Sequence, residues 1–119
     1  MLVDTSVWVD HLRRRNAILV RSLENAQVWT HSFVIGELAC GNLASRNYVL
    51  ESLAALPHAP TANHEEVLQF IEARRLMGRG LGWIDIHLLA SATLAMLPFW
   101  TVDRRLAAVA HELGMHFQN

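Results

Sequence analysis

The chain has 119 residues, 52% of them hydrophobic, and its 10 basic and 11 acidic side chains leave a net charge of −1 at pH 7. That length predicts a single domain over residues 1–119 with ample apolar material for a core, and the near-neutral balance gives no overall field that would draw the whole protein onto nucleic acid. Every cation is arginine, and the single cysteine, Cys40, excludes an intrachain disulfide and fits a reducing cytoplasm.

Met1-Leu2-Val3 predicts a short buried strand, and it carries neither the basic region nor the cleavable apolar stretch of a signal peptide. Helices are predicted from about Ser6 to Arg13 and from about Ala17 to Asn25, then a second strand over Gln27 to Thr30. Ser32 is placed as the N-cap of a helix running to Cys40, which Gly41 ends. Val49, Leu53 and Leu56 repeat at helical spacing, so a helix covers about Ser45 to Leu56, and a brief extended piece follows around His58 between Pro57 and Pro60. Asn63 and Glu66 have capping-box spacing and open a helix carrying Val67, Phe70 and Ile71, expected to stop at Gly78.

Gly78-Arg79-Gly80-Leu81-Gly82 reads as a flexible loop. A helix is predicted from about Ile84 to Met96, a strand over Phe99 to Val102, a last helix through Leu106, Val109, Ala110 and Leu113, and a final strand over Met115 to Gln118. The apolar stretch from Ile84 to Trp100 is broken by Asp85, His87 and Pro98, so it is not a membrane span. Strands alternating with helices predict an α/β domain with a parallel sheet, whose ligands bind beyond the carboxyl ends of the strands. With charged residues at 18%, below the roughly 25% of an average domain, apolar surface is expected to remain for a homodimer contact or another standing protein partner.

Four acids stand out by position. Asp4 and Asp103 each follow an apolar strand candidate, which puts them at the ligand edge, although either could simply cap the next helix. Glu37 shares a helical face with Phe33, Val34 and Cys40, and Asp85 shares one with Leu88, Leu89 and Ala92. An acid on a core-facing stripe needs a partner, either a buried arginine or a metal ion. Two carboxylates about 4 Å apart repel by roughly 4 kcal/mol at an effective dielectric near 20, so a cluster of four calls for a cation. All-oxygen ligation suits Mg²⁺ or Mn²⁺ rather than zinc, and the seven histidines show no zinc-like pair. His87 is expected to point away from Asp85, and Asp10 belongs to a solvent face.

Four segments in order carry a resemblance: Asp4-Thr5-Ser6, Gly36-Glu37-Leu38, Gly82-Trp83-Ile84-Asp85, and Trp100-Thr101-Val102-Asp103. Together with His87-Leu88-Leu89-Ala90 and Asp103-Arg104-Arg105-Leu106, they make nearly the whole chain resemble a PIN domain, more narrowly the VapC-type toxin ribonucleases of bacterial toxin–antitoxin pairs. The resemblance implies a three-layer α/β/α fold with sheet order 3-2-1-4-5, Mg²⁺- or Mn²⁺-dependent RNA cleavage leaving 5′-phosphate and 3′-hydroxyl ends, and an antitoxin that blocks the site. It carries metal-binding roles onto Asp4, Glu37, Asp85 and Asp103, and a supporting hydroxyl onto Ser6. Some family members have a further acid where this chain has Arg104 and Arg105.

Arg13-Arg14-Arg15, Arg74-Arg75-Arg79 and Arg104-Arg105 read first as solvated helix ends, while arginine also suits phosphate. Arg79, Arg104 and Arg105 are the candidates for RNA phosphate contacts, since they flank Asp85 and Asp103. Two other readings compete. An aspartyl-phosphate enzyme or receiver domain also places Asp after a first strand, but normally needs a lysine, and this chain has none. A catalytically degenerate PIN domain acting as a nucleic-acid or protein binding module is the other, and the presence of all four acids argues against it.

Overall fold

The computed structural model describes residues 1–117. β1 (Leu2–Val3) leads directly into α1 (Thr5–Arg14), followed by α2 (Ala17–Glu24), α3 (Ser32–Ala39), α4 (Arg46–Ala54), α5 (His64–Arg74), α6 (Trp83–Leu94), β2 (Phe99–Trp100) and α7 (Arg104–Glu112). β1 and β2 pair in parallel, with Leu2 opposite Phe99 and Val3 opposite Trp100.

The regular sheet therefore has two strands, where extended runs of three and four residues were expected. The other extended segments contribute single parallel bridges: Leu2 to Trp29, Thr30 to His58, and Phe99 to His116. α3 begins two residues after Thr30, and Pro57 and Pro60 hold the His58 piece short. Of the predicted final strand, Gln118 lies outside the described residues.

Leu2, Val3 and Phe99 are fully buried in the middle of the core, covered by Val7 of α1, Val34 of α3, Leu88 and Leu89 of α6 and Leu106 of α7. A second cluster joins α5 to α6 through Val67, Ile86 and Ala90. No helix among the described residues is long and apolar enough to cross a membrane.

Two helix ends differ from expectation. α3 is capped by the ring of His31 rather than by Ser32: His31 Nδ1 accepts the Phe33 N–H at 2.9 Å. α5 stops at Arg74 instead of reaching Gly78, because Arg75 turns left-handed (φ 53°) and the Leu76 amide bonds back to Ile71, sinking the Leu76 side chain into the core.

Candidate active site

The carboxyl ends of β1 and β2 lie side by side because the Asp4 N–H donates to the Trp100 carbonyl at 2.9 Å. Asp4 stands at the N-cap position of α1 but caps nothing. Its side chain, only 5% exposed, takes two hydroxyl hydrogens on one oxygen: Ser6 Oγ donates to Oδ2 at 2.6 Å and Thr101 Oγ1 donates to it at 2.8 Å. Each hydroxyl has one hydrogen, so both are then committed and their oxygens are free to accept. Ser6 Oγ accepts the Val102 N–H at 3.2 Å, and Thr101 Oγ1 accepts the Asp103 N–H at 3.0 Å. One buried carboxylate thus fixes, through two hydroxyls, the backbone that carries Asp103.

The other three acids are each held by one oxygen. Asp103 Oδ1 accepts the Leu106 N–H at 3.0 Å and caps α7, as the simpler sequence reading allowed. Asp85 Oδ2 accepts the Gly82 N–H at 3.1 Å across the first turn of α6. Glu37 Oε1 accepts the Thr5 hydroxyl at 2.7 Å, linking α3 to α1. Each carboxylate keeps a second oxygen without a protein donor among the described residues.

Glu37 corrects the sequence expectation. It is exposed, not core-facing: the buried stripe of α3 is Val34 and Leu38, and Glu37 lies off it, toward Thr5. Asp85 keeps more of its expected character. It is half-buried, and burial pushes its carboxyl above the usual carboxylate range, with the charges of Asp4 and Asp103 pushing the same way against the Gly82 hydrogen bond. Asp85 therefore feels the charges of Asp4 and Asp103. His87 is buried and turns to Phe33 and Trp83, with ring centroids 4.7 Å and 4.9 Å away.

No ion pair among the described residues answers this charge. Among the described residues the ion pairs are Arg14–Asp10 and Arg79–Glu112, and neither involves the four acids. Nor do three carboxylate, imidazole or thiol groups among the described residues stand at closed metal-ligand spacing. What the fold brings together is Asp85 with Asp4 and Asp103, close enough for their charges to act on its carboxyl, while the contact of Glu37 is with Thr5. That donor set fits a hard divalent cation, which keeps part of its own water shell and needs few protein ligands.

Residues 1–112 match the PIN domain family. The chain belongs to the PIN-domain family. Similar relatives are the proteins named Ribonuclease VapC32 in two strains of Mycobacterium tuberculosis, each 46% identical over 116 residues, which is 97% of this chain and 94% of the relative.

Around this PIN site the arginines divide. Arg79 is engaged by Glu112 through two hydrogen bonds of 2.9 Å and 2.8 Å, which also hold its guanidinium pKa up. Arg105 lies across Gly80, where a Cβ would come within 2.7 Å of its movable Nη1, and the φ of +78° is what calls for glycine there. Arg104 is exposed at the start of α7. Arg13, grouped by sequence with solvated helix ends, lines two crevices instead. One, of about 420 Å³, includes Thr5 and Glu37, and the other, of about 480 Å³, includes Ser6 and Val102. The signal in the sequence was helical spacing, since Arg13 follows Ser6 by seven residues and so shares its face of α1.

Proposed function

We propose that this PIN domain is a metal-dependent endoribonuclease and the toxin half of a VapBC-type pair. The observation that carries the reading is Asp4 and Asp103, beyond the joined ends of β1 and β2, with Asp85 of α6 close enough for their charges to raise its pKa, and with no ion pair to any of the three among the described residues. The relatives named Ribonuclease VapC32, matched over almost the full chain, supply the reaction class. A sheet in the order 3-2-1-4-5 belongs to the same reading, supported by the parallel bridges on either side of β1 and β2.

Asp4, Asp85 and Asp103 would hold Mg²⁺ or Mn²⁺, with Glu37 as a fourth ligand or as the group that orients the attacking water. The ion, when bound, neutralises charge on the phosphate and lowers the pKa of water. The chain's own residues set the geometry. Ser6 and Thr101 hold Asp4 in one orientation, and the Thr5 hydroxyl holds Glu37. Water attacks phosphorus, the bond to the 3′-oxygen breaks, and that oxygen leaves with a proton, giving 5′-phosphate and 3′-hydroxyl ends. No protein nucleophile is needed. An antitoxin covering the site and a homodimer complete the reading, and exposed Tyr48, Met77, Leu94 and Met96 supply apolar surface for such contacts.

The test is incubation of antitoxin-free protein with total RNA, in Mg²⁺ or Mn²⁺ and in EDTA, with mapping of new 5′ ends. Discrete ends are expected only with metal, and Asp4→Asn is expected to remove them. Cleavage surviving in EDTA, or in Asp4→Asn, would falsify the metal reading.

Arg13, Arg104 and Arg105 are the phosphate contacts under this reading. Arg13→Gln is expected to weaken RNA binding across sequences and to reduce the slope of log affinity against log salt by about one. An unchanged slope removes Arg13 from the RNA path.

A further inference from the structure

Beside Glu37 lies a shallow crevice of about 290 Å³, lined by Ser32, Phe33, Gly36, Glu37 and Cys40 of α3 and by Ile84 of α6. Glu37 is one of its walls, and Ile84, another, is the residue before Asp85 in α6. Its volume is at the lower limit of the roughly 300–1,000 Å³ of small-molecule clefts, room for one flat ring system and not for an extended ligand. Phe33 forms a fixed wall, edge-packed on His31 and His87 at centroid distances of 5.1 Å and 4.7 Å.

Gly36 gives the crevice its floor and a reason to exist. Glycine inside a helix lowers helix stability relative to alanine. Here the usual justifications are missing. Gly36 is not among the residues with positive φ, and a Cβ built on it meets nothing within 4 Å. None of the described residues uses the space that its side chain would take, so the space is open beside Glu37.

We propose that this crevice receives one unpaired base of the RNA next to the scissile phosphate, seated over Gly36 against Phe33 and Ile84. The inference rests on the ribonuclease reading of the same site. Of the groups one nucleotide from the cleaved bond, the base is the flat and apolar one, and single-stranded RNA is commonly held by bases splayed out onto aromatic and apolar side chains. The crevice therefore makes the enzyme prefer flexible single strands and requires a base at one position flanking the cut.

The test compares wild type with Gly36→Leu in Mn²⁺, on a single-stranded oligoribonucleotide and on the same strand with an abasic nucleotide at each position flanking the cut. With wild type, one abasic position is expected to raise KM by at least about fivefold, the range expected for one stacked base. Gly36→Leu is expected to raise KM on the intact strand by a similar factor, to leave kcat little changed, and to be indifferent to that abasic position. Its melting temperature is expected to equal or exceed that of wild type, leucine being the better helix former, and its Mn²⁺-induced shift to match. If wild type cleaves but no abasic position matters, the crevice holds no base and the proposal falls, while the ribonuclease reading stands. The proposal falls in the same way if Gly36→Leu behaves as wild type, or alters only inhibition by a protein partner. If wild type cleaves no RNA with metal, both fall. Should Gly36→Leu fail to fold, the abasic series on wild type decides alone.

Discussion

Asp85→Asn is expected to raise the melting temperature of the metal-free protein at neutral pH while abolishing RNA cleavage and the stabilisation by Mn²⁺. Burial first, and the charges of Asp4 and Asp103 next, push the Asp85 carboxyl above its ordinary value of 3.8. A carboxyl with a raised pKa in the folded state binds its proton more tightly there than in the unfolded chain. Stability is then lost as pH rises from the ordinary value through the raised one, and at neutral pH the whole cost is present. Asparagine carries no charge and keeps an oxygen to accept the Gly82 N–H, so the cost disappears and the turn survives. The gain appears as a higher melting temperature, since each ~1 kcal/mol moves the midpoint of a small domain by several degrees. Thermal melts in EDTA at pH 7 and near pH 3.5 check it, and the advantage of Asn should shrink at the acid end. Wild type alone should gain melting temperature on adding Mn²⁺, since only its native state binds the ion. A variant that melts lower than wild type in EDTA, or that keeps the Mn²⁺ shift, would show that Asp85 is not a destabilising ligand.

The local part of this fold was legible in the sequence, and the non-local part was not. Asn63 and Glu66 form both halves of the capping box, at 2.8 Å and 2.9 Å, because such a box needs only residues three apart. The interrupted apolar runs placed all seven helices within a few residues. How long a strand stays paired depends on its neighbour's reach, which is why the sheet came out shorter than expected. Glu37 misled because Val34 and Phe33 both precede it at helical spacing, yet only Val34 is fully buried. Arg79 meets Glu112 across 33 residues, a pairing no spacing rule announces. Asp4 and Asp103 shared one explanation as helix caps, yet only Asp103 caps, and Thr101, 97 residues from Asp4, is what gives the buried Asp4 another role.

Acidification is expected to loosen the two helices that carry Glu37 and Asp85 through a residue that touches neither acid. His31 is fully buried between α3 and α6. Its Nδ1 accepts the Phe33 N–H at the head of α3, so in the neutral ring the hydrogen sits on Nε2, which donates to Ser91 of α6 at 2.9 Å. Protonation would set an N–H of the ring against the Phe33 N–H and break the cap. Burial, with the neighbouring His87 and His58, pushes the His31 pKa from 6.5 down to about 4. A histidine depressed in this way binds more protons unfolded than folded. Its contribution is complete above pH 6.5 and is lost as pH falls toward 4, by up to roughly 3 kcal/mol at 1.36 kcal/mol per unit. That is a large share of the roughly 5–15 kcal/mol that holds a domain together. His87, also depressed by burial and by His64, adds to the same slope. Urea melts at pH 7, 5.5 and 4.5 should show wild type losing stability faster than His31→Asn, which can still cap α3 but has no imidazole to titrate. At pH 7 the variant should be the less stable of the two, lacking the reach to Ser91, and the curves should converge toward pH 4.5. Parallel curves would assign the acid sensitivity to other groups, and the rigid spacing of Glu37 and Asp85 would then owe nothing to this ring.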